Sequence, residues 1–440
     1  MTTKELLILT LILFFALFTR LFRLDYPSQM YFDEVYHVSA AMLMTEGDFL
    51  TPFTPTTLTY DGQHTLDWLH PPLAKYLQAA SMALFGKTPL AWRLPSVAAS
   101  LGVLLAFYFL LRLLGQHYFF HWLKGAERQA AAINLALVGT FLFSLDGIFL
   151  VMSRLAMNDV FLLCFGLLAV LAYVWRLKQQ RSLHLLLVGF CLGLALATKW
   201  SVLWLLVVLL LHELGRLRAW HKLPFVLFSL VATPLFLYLL SYLPSFWQGL
   251  SLSEFFSFQE TIAWSQLSNQ SQHPYSSDPL SWPLNWRPVW FFAANQAFLP
   301  NDFIANIYLL ANPLLTTLGL LALLVAFTAM FARGIWSSSI QITYFLLTLY
   351  LANLLPWVFF KRPLFLHHYL LATPFLLIIT SYFAFNLISQ IKDHGKRRAC
   401  LFNFLFWPLL VFVIFYPHWT ALKVPENFAN VVYFFLENWR

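Results

Sequence analysis

Apolar runs near the length of a bilayer recur along this whole sequence, and that repetition constrains its fold more than any single motif. About 20 apolar residues carry a helix across the hydrocarbon. Runs of that order fall at 5–24, 91–114, 129–147, 156–176, 184–199, 200–214, 224–243, 306–331, 340–358, 369–390 and 400–417. They predict an all-α polytopic membrane protein with about eleven transmembrane helices. The 184–199 and 200–214 runs are short and meet at Thr198-Lys199-Trp200, so they also read as one broken or tilted pair. Charged residues make up 10% of the chain, against about 25% in soluble domains. The N-terminal run leads straight into Arg23-Leu24-Asp25 with no small-x-small cleavage site, and is expected to stay as a span.

A formal net charge of +8 points to basic cytoplasmic loops rather than to nucleic acid, because Lys and Arg concentrate on the inner side of membrane proteins. Every second loop is basic: Lys124 and Arg128; Arg176, Lys178 and Arg181; Arg216, Arg218 and Lys222; Arg333; Lys392, Lys396, Arg397 and Arg398. This alternation predicts a cytoplasmic N-terminus and an external C-terminal tail. Two large extracytoplasmic loops follow, 25–90 and 244–305, on a single membrane domain spanning 1–440 with no separate soluble domain. Within the first loop, 71–84 has the spacing of a short amphipathic interfacial helix. Cys164, Cys191 and Cys400 lie in or beside apolar runs without a Cys-x-x-Cys pair, so neither a disulfide framework nor a zinc site is indicated.

The outer loops hold the residues with chemistry. Asp33 and Glu34 are adjacent acids in apolar surroundings, with His37 one turn on. Apolar walls raise a carboxyl pKa, which suits a general base; an acid favoured by a helix N-terminus is the structural alternative. In His70-Pro71-Pro72-Leu73-Ala74-Lys75 the prolines open a helix and hold His70 just outside it, with Lys75 a turn inside and Asp67 placed to orient the imidazole. A rigid turn with incidental polar residues is the other reading. Arg93 opens the second span, where its charge opposes the macrodipole and calls for an anion, either a lipid phosphate or Asp33 or Glu34. Arg154 and Asp159 at the start of the fourth span pair with each other or serve catalysis. Lys199 snorkels or contacts phosphate. Arg362 with His367, His368 and Tyr369 forms a cationic and imidazole cluster suited to phosphate. No ligand set has metal spacing, and no metal or other cofactor is expected.

These motifs, in this order, resemble the protein O-mannosyltransferase family, membrane glycosyltransferases of the GT-C fold. The resemblance runs through Phe32-Asp33-Glu34, His70-Pro71-Pro72-Leu73-x-Lys75, Arg93-Leu94-Pro95-Ser96, Asp146-Gly147, Ser153-Arg154 and Thr198-Lys199-Trp200-Ser201. It continues with His273-Pro274-Tyr275-Ser276-Ser277, Trp282-Pro283-Leu284, Arg287-Pro288 and His367-His368-Tyr369-Leu370. It implies an extracytoplasmic active site, a polyprenyl-phosphate-mannose donor, Ser/Thr hydroxyls of exported proteins as acceptors, and inverting, metal-independent transfer. It maps the base onto Asp33, with Glu34 beside it, and the donor-phosphate contact onto Arg93; by their own chemistry Lys199, Arg362, His367, His368 and Tyr369 are expected to support that contact. A lipid A or cell-wall glycan acceptor is the alternative on the same donor chemistry. The 244–305 loop is too short for the β-trefoil domain of eukaryotic members, so the chain is similar to the compact bacterial type, set in the cytoplasmic membrane. In that loop His273, Tyr275 and Trp282 are expected either to form a lid or acceptor groove or to anchor at the interface.

Overall fold

The computed structural model describes residues 1–53, 66–333 and 338–440. Helix α1 (Thr3–Leu21) opens on a capping box between Thr2 and Glu5. Two helices, α2 (Glu34–Thr45) and α3 (Leu73–Phe85), occupy the first long loop. Then come α4 (Pro89–Leu114), α5 (Gly125–Ser144), α6 (Gly147–Ser153), α7 (Asp159–Gln179), α8 (Leu183–Leu196) and α9 (Val202–Gly215). The remaining large helical segments are Trp220–Ser241, Pro313–Arg333, Ser338–Ala352, Thr373–Ser389 and His394–Thr420. Each apolar run of the sequence therefore carries a helix. By length and hydropathy, five described helices suffice to cross a bilayer, and α5 with α6, bent by 67°, would make a sixth. Another four are shorter and apolar, α8 and α9 among them. The side chain of Arg333 lies outside the described residues.

The 306–331 run differs from the expectation of a continuous span. Its first residues form strand β3 (Asn306–Leu309), antiparallel to β1 (Val289–Ala293), and the helix starts only at Pro313. A Pro at the first helical turn explains the late start, because its fixed φ suits a helix opening and its missing N–H has no partner to lose there. A second small sheet joins β2 (Phe303–Ile304) to β4 (Val424–Pro425), tying this loop to the C-terminal tail.

The bends between spans are fixed by close contacts. Gly147, which starts α6, leaves no room for a side chain, since a Cβ there would meet Leu310 O at 2.3 Å and the Trp419 ring at 2.4 Å. Arg154 then closes α1 from outside. Its Nη1 donates to the carbonyls of Thr19, Arg20 and Phe22, and its Nη2 to Arg23 O. Those carbonyls at the end of α1 lack helical partners of their own. Asp159, at the start of α7, meets Lys199 from the α8–α9 connection, and Leu73 N–H at the start of α3 bonds Ala197 O beside it. The end of α1, the starts of α3 and α7 and the α8–α9 turn thus gather at one end of the bundle.

Candidate active site

The two adjacent acids have different fates, and the backbone before them explains why. Phe32 sits at φ +52°, a left-handed conformation that is uncommon for a bulky residue. Its ring stacks on Phe291 at 3.8 Å and meets His367 edge-on at 5.8 Å. The turn sends Glu34 inward. Glu34 Oε1 accepts Arg93 Nε (2.8 Å) and Ala156 N–H (3.0 Å), and Oε2 accepts Arg93 Nη2 (2.8 Å). The Arg93 Nη1 group donates to Leu24 O and Pro27 O, and Nη2 also to Gln29 O. Those contacts use all five N–H donors of a guanidinium. Two expectations are corrected here. Glu34 is a buried anchor rather than a base, and Arg93 is its partner with no donor left for a substrate phosphate.

Asp33 stands at the start of α2, half-buried, and its carboxylate makes no hydrogen bond or ion pair among the described residues. Burial pushes its pKa up to about 6, against the pull of His37 and Lys199. A free carboxylate with that pKa suits proton abstraction near neutrality.

Beside it, Asp67 is the hub of a second cluster. Its Oδ1 meets His70 Nδ1 at 2.9 Å, and its Oδ2 lies 2.9 Å from His37 Nδ1 and 2.8 Å from Lys75 Nζ. Burial would raise the Asp67 pKa, yet Lys75, His70 and His37 together hold it well below the carboxylate range. His70 is pushed by burial down to about 4, against Asp67, so it is neutral at physiological pH. His37, Asp67 and His70 offer three ligand atoms within 4.8 Å of one another. The buried Lys75 ammonium already fills the cation position on Asp67, so this donor set fits a salt bridge better than a metal. Lys75 is fully enclosed, also donating to His70 O at 2.7 Å, and cannot reach a substrate.

The third group lines a narrow crevice, with about 10 Å³ free, between α7, α9, the outgoing end of Ser338–Ala352 and the 355–371 segment. Lys199 Nζ donates to Asp159 Oδ1 at 2.8 Å, which replaces the expected Arg154–Asp159 pair. Arg154 is committed to the end of α1 instead. His367 and His368 form another wall, and Arg362 Nη2 lies 3.1 Å from His368 Nε2. Asp159 Oδ2, His367 Nδ1 and Arg362 Nε are buried without a hydrogen-bond partner. Orphaned buried polar atoms are rare in folded proteins, and three here mark a place for a polar ligand. The Asp33 carboxyl feels Asp159 and Lys199 from this group and Asp67 and His37 from the other, and the Leu73 N–H to Ala197 O bond ties the start of α3 to the turn that carries Lys199.

Other expected residues stand around it. The Tyr369 hydroxyl shares a hydrogen bond with the Tyr350 hydroxyl at 2.9 Å. Trp282 is buried, donates Nε1 to Ser277 Oγ (3.0 Å) and lies nearly parallel to His368 at 6.1 Å, forming a back wall. His273 packs edge-on against Phe365 at 4.9 Å, and Tyr275 stacks under Arg287. A polar groove of about 570 Å³, lined by His273, Ser276, Asp278, Lys361 and Arg362 among others, opens beside the crevice. Ser201, from the Thr198–Ser201 motif, and Trp357, just before Arg362, also line the crevice, as do Trp204 and Asn353, which were missed in the sequence. Asn353 alone carried a signal, a lone amide ending an apolar run.

Two family models divide the chain between them. "Dolichyl-phosphate-mannose-protein mannosyltransferase" matches residues 63–249, and "C-terminal four TMM region of protein-O-mannosyltransferase" matches 251–435. The chain belongs to the protein O-mannosyltransferase family. Among curated relatives of this family member, the polyprenol-phosphate-mannose–protein mannosyltransferase of Corynebacterium glutamicum is 25% identical over 93% of this chain and 88% of its own. The enzyme of the same name from Mycolicibacterium smegmatis is 23% identical, over 84% of this chain and 82% of its own. The S. cerevisiae protein O-mannosyltransferase Pmt1–Pmt2 complex bound to the sugar donor shares the fold at a TM-score of 0.76 and 14% identity, covering 96% of this chain and 90% of that one. ArnT from Cupriavidus metallidurans bound to undecaprenyl phosphate aligns at 0.56 and 14%, over 94% and 70%. Both likenesses support the GT-C architecture for this O-mannosyltransferase family member.

Proposed function

We propose that this chain transfers mannose from a polyprenyl-phosphate-mannose lipid to Ser/Thr hydroxyls of exported proteins, with inversion at the anomeric carbon. The observation that carries the reading is the free, raised-pKa Asp33 carboxylate beside a crevice whose buried polar atoms lack partners. The names of the curated relatives support the donor and the acceptor class.

In this mechanism Asp33 takes the acceptor hydroxyl proton as the oxygen attacks C1 of the sugar. The bond from C1 to the phosphate oxygen breaks, and the polyprenyl phosphate leaves with that electron pair. Lys199 and Arg362 receive the departing charge in a water-poor setting, where fixed cations act most strongly on developing anions. Asp67 stays ionised and orients His37 and His70. The Lys75 ammonium supplies the cation that this cluster needs, and the chemistry proceeds without a metal. Because the crevice is narrow, the sugar enters as the 355–366 segment and its Trp357 move aside, a gating step of the kind common in transferases. The basic alternate loops support eleven crossings with the N-terminus in the cytoplasm and the site outside, in the bacterial cytoplasmic membrane.

The test is direct. Purified protein is given radiolabelled polyprenyl-phosphate-mannose and a Ser/Thr peptide, and the products are separated. Label on the peptide, lost on β-elimination, is the expected result. Label that reaches only a lipid or glycan acceptor would overturn the protein-acceptor assignment.

A further inference from the structure

Asn353 ends the Ser338–Ala352 helix, one residue past its last regular turn. It is buried to 2% exposure and lines the same crevice as Asp159, Lys199 and His367. Its Nδ2 donates to Leu349 O at 2.7 Å. That bond fixes which end of the amide is which, because a carbonyl only accepts and the nitrogen must face it. The remaining polar atom, Oδ1, has no partner among the described residues. Asp159 Oδ2, on the facing helix α7, is a second buried acceptor in the same condition.

An acceptor buried this way in an apolar run is unfavourable unless something donates to it. Nearby donors have partners of their own, Lys199 Nζ with Asp159 Oδ1 and Arg362 Nη2 with His368, and none of them, the unpartnered Arg362 Nε included, bonds Asn353 Oδ1. A phosphate cannot satisfy Asn353 Oδ1, since it offers oxygens with no proton to give at neutral pH. A sugar hydroxyl can, and each hydroxyl is a single O–H donor. Leu162, Trp204, Trp357, Leu370 and Leu371 make up the apolar part of the lining and suit the carbon faces of a pyranose.

We infer that Asn353 is a specificity-determining residue, accepting a hydrogen bond through Oδ1 from one hydroxyl of the donor hexose, with Asp159 Oδ2 accepting from another. This rests on the donor reading above and extends it from the lipid phosphate to the sugar. A site built to bond a particular hydroxyl discriminates strongly against a donor lacking it, because the protein acceptor is then left buried and unpaired.

The experiment is a cycle between enzyme and substrate. Wild type and Asn353→Leu are compared on polyprenyl-phosphate-mannose and on donors deoxygenated singly at C2, C3, C4 or C6, measuring kcat/KM for peptide mannosylation. Binding of polyprenyl phosphate without sugar is measured on both proteins as the control. Asn353→Leu is expected to lose about tenfold on the full donor, the worth of one neutral hydrogen bond, while sugar-free polyprenyl phosphate binds as before. One deoxy donor is expected to lose a similar factor on wild type and nothing further on Asn353→Leu. Strictly additive losses for all four deoxy donors would overturn the inference, as would an equal loss of sugar-free lipid binding. Should Asn353→Leu fail to fold, the same cycle with Asn353→Ser, whose side chain is too short to reach, decides the point by the same criteria. If wild type itself transfers nothing from polyprenyl-phosphate-mannose, the functional reading fails and this inference with it. Transfer by wild type with an additive cycle removes only the role of Asn353.

Discussion

At the scale of single residues, the site is organised by which charged groups are committed and which are free. Glu34, Arg93, Arg154 and Lys75 are spent on structure, whereas Asp33 has no hydrogen-bond or ion-pair partner among the described residues. Replacing Asp33 with Asn is expected to lower turnover by about 10²–10⁴-fold, the usual worth of a general base, and to leave donor binding near wild type. A Kd for the lipid donor and a single-turnover rate would check both. The pH dependence follows from the same carboxyl. Asp33 works ionised, so kcat/KM is expected to fall with decreasing pH through about 6, with unit slope. Its effect on stability has the opposite sign. A carboxyl whose folded pKa is raised stabilises the fold at low pH, and that contribution is lost as pH rises through about 6. Asp33→Asn, which never ionises, is therefore expected to melt higher than wild type at pH 7.5, with the gap closing below pH 5. An Asn variant that is both active and no more stable would remove Asp33 from the mechanism. Lys199→Gln is the companion test at the leaving group. It is expected to lower kcat by about 10²–10³-fold, as the loss of one preorganised charge donor does elsewhere.

At the scale of elements, Glu34 and Arg93 bind the first loop, α4 and the 155–159 segment into one frame, and Arg154 fastens the end of α1. Removing one partner of a buried ion pair costs about 3–5 kcal/mol. Glu34→Gln is thus expected to lower the thermal midpoint and expression yield, and kcat per folded molecule to fall far less than in Asp33→Asn. A thermal melt beside an active-fraction assay separates the two effects. Most of these elements could be read from the sequence. Apolar length located every large helix, and the two prolines before Leu73 located α3, since both signals are local. The partnering of Arg93 and Arg154 could not be read, because spacing does not say which of several acids or carbonyls folds back against a cation. Strand β3 was hidden for a related reason. Asn306–Leu309 is as apolar as the helix after it, and only its pairing with β1 distinguishes it. In the site itself, charged residues announced themselves and Asn353 stood out only as a lone amide, while Trp204 looks like an ordinary member of an apolar run.

For the whole molecule, the chemistry requires all catalytic groups on one side and the lipid tail in the membrane. The contacts meet the first requirement: α2, the starts of α3 and α7, the α8–α9 turn and the 355–371 segment come together at a single end of the bundle. The opposite end carries the basic turns, including Lys178 in the last turn of α7, Arg181 before α8 and the 392–398 cluster. Lys and Arg resist translocation and so mark the cytoplasm, which supports the proposal that the site lies where exported polypeptides emerge. Two exposed positions test this orientation. Ser271 lies in the loop beside the polar groove, and Lys392 lies in the basic turn before His394–Thr420. In a Cys400→Ser background, Ser271→Cys is expected to react with a membrane-impermeant maleimide in intact spheroplasts. Lys392→Cys is expected to react only after permeabilisation. The reverse pattern would place Asp33 in the cytoplasm, where no exported Ser or Thr could reach it, and the acceptor assignment would fall even if the donor chemistry survived.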